Sequence, residues 1–318
     1  MHNRILIFRR LGLFAFAAVG VYLLLSAVGG VMLMESALHP QRRPVAQQSV
    51  FTIAQWAPSG VANIEIEGAD GAKLKGWYAQ SPTWNGDSVI LLHGVGDNRE
   101  GVTSYAAMFL RFGYAVLLPD SRAQGESGGQ IGTYGLLESK DLQRWSGWIA
   151  NRPTRDAHAP CTYLFGESMG AAIVLESTAI QPEVCAVVAE APFSSFREIG
   201  YERIAQGLGS SIGFSHIAAL PMVNFAFLYA RLRYGLDFDW ASPERKLAAS
   251  HVPTLLIAGL DDRNIPARHS MQIARLAGGQ TQLWLVAGAG HTSAASVDST
   301  AFEHRVIGWL AAHSQRAS

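Results

Sequence analysis

Cys161-Thr-Tyr-Leu-Phe-Gly-Glu-Ser-Met-Gly-Ala-Ala-Ile-Val-Leu175 decides how this chain is read. The run predicts a short buried strand, a sharp turn at Gly166-Glu167-Ser168-Met169-Gly170, and then a helix. In that setting a G-x-S-x-G turn lifts a serine hydroxyl out of a parallel sheet as a nucleophile. A side chain at either glycine would crowd the turn. Ser168 is then a residue of covalent chemistry, and the chain reads as a hydrolase or acyltransferase. The pattern alone is weak, because the chain has 32 glycines and contains it three times. Gly125-Glu-Ser127-Gly-Gly129 follows Asp-Ser-Arg-Ala-Gln and reads as a loop. Gly209-Ser-Ser211-Ile-Gly213 lies in a Gly/Ser-rich break between helical stretches. Only the Ser168 copy has the strand before and the helix after that the chemistry requires. The bland alternative is an ordinary Gly-rich strand-to-helix turn.

Outward from that stretch, strands alternate with helices. Ala62-Asn-Ile-Glu-Ile-Glu67 has period two, Asp70-Gly71 is a hairpin turn signal, and Leu74-Lys-Gly-Trp-Tyr-Ala79 is its partner strand. Short apolar runs at 88–92, 115–119, 161–165, 184–189, 254–258 and 282–286 read as strands buried on both faces, as in a parallel sheet. Helices fit 101–112, 136–149, 168–180, 266–277 and 299–313. In 136–149, Leu137, Leu142, Trp145, Trp148 and Ile149 form one apolar stripe. The alternation predicts a mostly parallel, doubly wound α/β sheet with right-handed crossovers. It breaks at about 193–243, a long aromatic, helix-like insertion with Phe225, Phe227, Tyr229 and Tyr234. An insertion at a strand's carboxyl end sits where open α/β sheets bind ligands, so we read it as a cap. The alternative is that these aromatics pack only on one another.

A serine needs a base to take its proton and a third group to orient that base. Two strand ends downstream offer them. Thr254-Leu-Leu-Ile-Ala-Gly-Leu-Asp-Asp262 runs into an acidic turn. Gln282-Leu-Trp-Leu-Val-Ala-Gly-Ala-Gly-His291 runs into a Gly-rich loop. Taken singly, Asp262 reads as a turn residue and His291 as a loop histidine. Together they complete Ser168, and Glu190, which also ends a strand, is the fallback acid. An oxyanion needs N–H donors set in advance. The expected donors are Met169, at the start of the helix, and Val95, after His93-Gly94. His93 itself reads as structural.

Lys+Arg and Asp+Glu balance at 25 each, so no basic face for nucleic acid is implied. No clustered Cys/His spacing suggests a metal. Leu11–Met34 is 24 residues without a charge, a helix of ~36 Å against a ~30 Å hydrocarbon core. A transmembrane helix over about 11–34 is expected within a 1–37 anchor segment. A cleaved signal peptide is the alternative, although its apolar region is usually about 7–15 residues. Arg9-Arg10 raises a twin-arginine reading that its flanks support poorly. Residues 38–60 read as a polar linker, and 61–318 as the globular domain.

The matching pieces are His93-Gly94, Pro119-Asp-Ser-Arg-Ala-Gln-Gly-Glu-Ser-Gly-Gly129, Gly135-Leu-Leu-Glu-Ser-Lys-Asp141, Gly166–Gly170, Gly259-Leu-Asp-Asp-Arg-Asn-Ile-Pro266 and Gly290-His291. With them, the chain resembles the α/β-hydrolase superfamily, in its monoacylglycerol-lipase and serine-aminopeptidase-like branch. The likeness spans about 60–313. It implies the chain order Ser168, Asp262, His291, and its spacing points to Asp262 rather than Asp261. Ala123-Gln124 departs from the family's usual glycine. The resemblance implies a membrane-anchored serine hydrolase of carboxylic esters, lipid-like ones included, working through an acyl-enzyme without a cofactor. The alternatives are a serine aminopeptidase or amidase, for which Glu190 and Glu202 are candidate receptors of a free amine, and a non-catalytic interaction protein on the same scaffold. In this fold the strands opened by Cys161 and Cys185 are neighbours, close enough for a disulfide. Three arginines before the apolar helix, against Arg42 and Arg43 soon after it, lean toward an N-inside orientation, with the domain outside the cytoplasm. Two reduced, buried cysteines in a cytoplasm-facing domain are the alternative.

Overall fold

A computed structural model describes residues 2–46, 49–152, 160–209, 212–278 and 280–314. The chain divides into two compact units. One holds His39–Phe196 and Trp240–Ser318, and the other joins the N-terminal helix to Arg197–Asp239.

The larger unit is built on an eight-stranded sheet of order β1-β2-β4-β3-β5-β6-β7-β8. β1 (Val61–Glu67) and β2 (Lys73–Gln80) form the expected antiparallel hairpin, with Val61 opposite Ala79. β2 runs antiparallel to β4 (Ala115–Pro119). From there β3 (Ser88–Leu92), β5 (Thr162–Glu167), β6 (Ala186–Glu190), β7 (Thr254–Gly259) and β8 (Thr281–Val286) are all parallel.

The continuous apolar runs arise because alternate side chains enter two different cores. Val89, Leu91, Val116, Tyr163, Phe165, Val188 and Ile257 face one side. There they meet Phe109 of α3 (Thr103–Arg111) and Phe302 of α9 (Ser299–Ala312). Ile90, Leu92, Leu117, Leu164, Val187 and Leu256 face the other. Their partners are Trp145 of α4 (Glu138–Ala150), Ile173 of α5 (Met169–Ser177) and Ile273 of α8 (Arg268–Leu276).

Two local expectations change. β8 is only half-buried, because it is an edge strand paired with β7 alone. The 38–60 stretch contains a short helix, α2 (Val50–Ala54), since Ile53 is drawn fully into the core. Cys161 and Cys185, at the starts of β5 and β6, form a disulfide with Cα atoms 5.7 Å apart.

The smaller unit pairs α1 (His2–Leu38) with α7 (Ile212–Tyr234), which follows α6 (Phe196–Leu208). Tyr22 Oη donates to the Ala218 carbonyl at 2.6 Å. Farther along both helices, Tyr229 and Tyr234 hydroxyls each donate to Glu35 Oε1 at 2.6 Å. Sequence number rises along both helices together, so they run parallel. Gly30 makes the approach possible: a Cβ there would lie 2.5 Å from the Met222 carbonyl oxygen and 2.9 Å from the Ala226 nitrogen.

Candidate active site

The site is assembled at the carboxyl ends of β5, β7 and β8. Ser168 sits between β5 and α5 at φ 53° and ψ −117°. Only close backbone packing holds a non-glycine residue there. Its N–H donates to the Glu190 carbonyl at 2.8 Å. The flanking glycines are required by distance. A Cβ on Gly166 would meet the Gly170 carbonyl oxygen at 2.3 Å, and one on Gly170 would meet the Leu92 carbonyl oxygen at 2.3 Å. The elbow is thereby wedged between β5, β3 and the start of α5.

His291 Nε2 lies 2.9 Å from Ser168 Oγ, and its Nδ1 lies 2.8 Å from Asp262 Oδ2. The other carboxylate oxygen of Asp262, Oδ1, accepts the N–H groups of Asn264 at 2.8 Å and Ile265 at 2.9 Å. Asp262 is buried and oriented by that turn, so its free oxygen points at the imidazole. The consistent tautomer carries the proton on Nδ1, donated to Asp262, and leaves Nε2 to accept from the Ser168 hydroxyl. A hydroxyl, imidazole and carboxylate in series is the arrangement through which a serine proton can be drawn off.

Met169 is the first residue of α5. Val95 follows Gly94, where a Cβ would lie 3.4 Å from Ser168 Cβ. Met169 thus follows Ser168 in the chain, and the loop carrying Val95 comes close to it at Gly94. His93 is fully buried, with Nε2 accepting the Ser121 N–H at 3.0 Å and Nδ1 donating to the Gly94 carbonyl at 2.7 Å. Burial holds it below the ordinary histidine range. It braces the loop and has no free nitrogen.

Ser127 is buried, donating to the Asp120 carbonyl at 2.8 Å and accepting the Lys75 N–H at 2.9 Å, so it ties a loop to β2. Ser211 lies outside the described residues. Glu190 lies within electrostatic reach of His291, but its hydrogen bonds go elsewhere. It accepts from Tyr105 Oη and the Ala294 N–H, both at 3.0 Å, and so pins the loop after His291. Burial raises its pKa. Those same bonds occupy it as a receptor for a free amine. Glu202 lies in α6, in the other unit. Among the described residues, no group of three or more His, Cys, Asp or Glu side chains is placed to hold a metal ion.

The family model described as the alpha/beta hydrolase family matches residues 89–303. The chain belongs to the α/β-hydrolase family. An uncharacterised protein of Mycobacterium tuberculosis is 30% identical over 244 residues, 76% of this chain and 75% of that one. The uncharacterised protein YqkD of Bacillus subtilis is 27% identical over 228 residues, 71% of each. Among solved structures, the esterase Pf2001 of Pyrococcus furiosus aligns at TM-score 0.66 with 22% identity, over 87% of this chain and 99% of that one.

Three residues of this α/β-hydrolase have surroundings or backbone angles that were not foreseen from its sequence. Gln124 Oε1 accepts the Gly96 N–H at 2.6 Å, and its Nε2 reaches Met169 Sδ at 3.5 Å, so it spans the two loops beside Ser168. Ala123, the departure from glycine, takes φ 59°, the left-handed region a glycine would occupy without strain. Glu167 sits inside the elbow, opposite Glu190 in the β5–β6 register. Desolvation, then the nearby Glu190 and Asp97, push its carboxyl up to about 8. The motif announced its position, but only the elbow's geometry shows what surrounds it.

Proposed function

We propose that this α/β-hydrolase is a membrane-anchored serine hydrolase of carboxylic esters. One observation carries the reading: the Asp262–His291–Ser168 hydrogen-bond chain that ends on a serine held at φ 53°. His291 Nε2 takes the hydroxyl proton as Ser168 Oγ attacks the ester carbonyl. Asp262 holds the imidazole's orientation and stabilises the imidazolium. The amides of Met169 and Val95 receive the oxyanion, and Met169 adds the positive end of α5. His291 then protonates the departing alkoxide, leaving an acyl-Ser168 that water hydrolyses by the same steps in reverse roles. The chemistry calls for no cofactor. The fold shared with an esterase agrees with ester cleavage. With Glu190 held by Tyr105 and Ala294, that candidate receptor for a free amine is already engaged.

Phe8–Leu38 is long and apolar enough to cross a membrane, at mean hydropathy 2.3. We read it as the anchor, with Arg4, Arg9 and Arg10 on the cytoplasmic side. The catalytic unit is then outside the cytoplasm, where the Cys161–Cys185 bond persists. The cap of this reading is the 193–243 insertion.

The purified protein, given a panel of p-nitrophenyl esters and aminoacyl p-nitroanilides, is expected to turn over the esters. Release of nitroaniline without ester cleavage would assign the site to the aminopeptidase reading instead.

A further inference from the structure

We propose that α7 is a second membrane element, a monotopic helix lying beside α1 with the side chains of Ile217 and Leu220 in the acyl chains of the same bilayer. The proposal rests on the reading of α1 as an anchor.

The composition comes first. From Ile204 to Ala230 there are 27 residues without an Asp, Glu, Lys or Arg. A soluble surface helix keeps a polar outer face, whereas a helix apolar on every side is normally buried or in lipid. The outer side of α7 is mostly apolar and uncovered, and Asn224, which accepts from Arg197 Nη1 at 2.9 Å, also lies on it. Ile217 is 78% exposed, Leu220 48%, Leu228 48% and Leu232 78%.

The inner side is also built as a membrane pair is built. Ala219, Val223, Ala226 and Ala230 are its buried residues toward one face, spaced by four, three and four. On α1, Ser26 and Gly30 are buried four residues apart, and Gly30 lies against the α7 backbone. Small residues at such spacing let two helices approach closely in lipid, where no hydrophobic force drives them together.

The register decides which solvent the outer side meets. The Tyr22–Ala218 bond sets Ile217 and Leu220 level with the middle of the uncharged stretch Leu11–Met34. At the other end, Glu35 gathers Tyr229 and Tyr234, and Arg231 and Arg233 follow. Tyrosines and charges mark a water boundary. Both helices thus become polar at the same level and apolar in the same direction. Like α7, α1 exposes apolar side chains away from the seam, and Leu24 is 64% exposed. An anchor in the bilayer carries this face in with it.

The test uses the full chain in lipid nanodiscs, where the two native cysteines are disulfide-bonded and leave no free thiol. Single Cys substitutions Leu220→Cys, Leu24→Cys and Leu276→Cys each carry an environment-sensitive fluorophore, and Ile217→Cys repeats the α7 measurement. Nitroxides on the lipid acyl chains should quench the Leu220→Cys label to about half, as they do at Leu24→Cys, because a helix packed along a spanning one turns its outer face to the acyl chains. The label at Leu276→Cys, 51% exposed in the other unit, should stay bright. Lipid quenching at Leu24→Cys, with only aqueous quenching at Leu220→Cys, overturns the proposal and leaves the anchor standing. Cross-linking of Leu220→Cys to itself without lipid quenching assigns the face to a second copy and also overturns it. If lipid quenches neither helix, the anchor reading fails and this proposal falls with it.

Discussion

Ser168 holds backbone angles that cost an L-residue on the order of 1–3 kcal/mol, offset by the packing of Gly166 and Gly170 around it. The two candidate triad acids divide cleanly by partner. Asp262 meets His291, and Glu190 meets Tyr105 and Ala294. Asp262→Asn should therefore lower turnover by about 10⁴-fold, since the amide favours the wrong imidazole tautomer. A near-normal rate for Asp262→Asn beside a large loss for Glu190→Gln would reverse the assignment. Glu167 gives a stability prediction with a definite sign. Its carboxyl titrates at about 8 in the folded protein, against 4.5 ordinarily, so the folded state keeps a proton that the unfolded state releases. This residue's contribution then falls as pH rises from about 4.5 to about 8 and is level above that. Glu167→Gln removes this loss. The variant should match the parent near pH 5 and exceed it near pH 8.5, by about 4 kcal/mol as an upper bound. Denaturant unfolding at the two pH values reads the difference, and parallel changes in both proteins would contradict it. The chemistry-bearing residues were legible because each falls where a predicted strand ends. The surroundings of Glu167 and the reach of Gln124 were not, because they depend on how separate loops meet.

At the scale of elements, the run Pro119–Gly129 is an architectural clamp. Arg122 donates to Asp141 through Nε at 2.7 Å and Nη2 at 2.8 Å, and to Asp70 through Nη1 at 2.8 Å. One guanidinium thus ties the β1–β2 turn to α4. Arg99 similarly bonds Asp120 at 3.3 Å and also pairs with Glu126. Arg122→Met should cost about 3–5 kcal/mol, because it leaves Asp141 buried and unpaired. The double variant Arg122→Met with Asp141→Leu should recover part of that loss in the same unfolding measurement. A single variant as stable as the parent would show that the clamp holds nothing. Strands were readable because burial on both faces writes an unbroken apolar run. The pairing of α1 with α7 was not readable, since apolar residues run around most of each helix and periodicity marks no inner face. α2 escaped for a different reason: only Ile53 of its five residues reaches the core.

For the whole molecule, the account places the catalytic unit outside the cytoplasm behind an uncleaved helix. A C-terminal alkaline-phosphatase fusion should be active in intact cells, and an inactive, full-length fusion would place the unit on the other side. Denatured, unreduced protein should titrate no thiol, and two free thiols would contradict the Cys161–Cys185 bond. Everything functional nonetheless rests on one hydroxyl chosen from three similar motifs. The direct measurement is labelling by a fluorophosphonate probe, which phosphonylates an activated serine. The parent protein should label at Ser168, Ser168→Ala should lose the label, and its ester turnover should fall by at least about 10³-fold. Persistence of the label in Ser168→Ala, with its loss in Ser127→Ala or Ser211→Ala, would contradict the account.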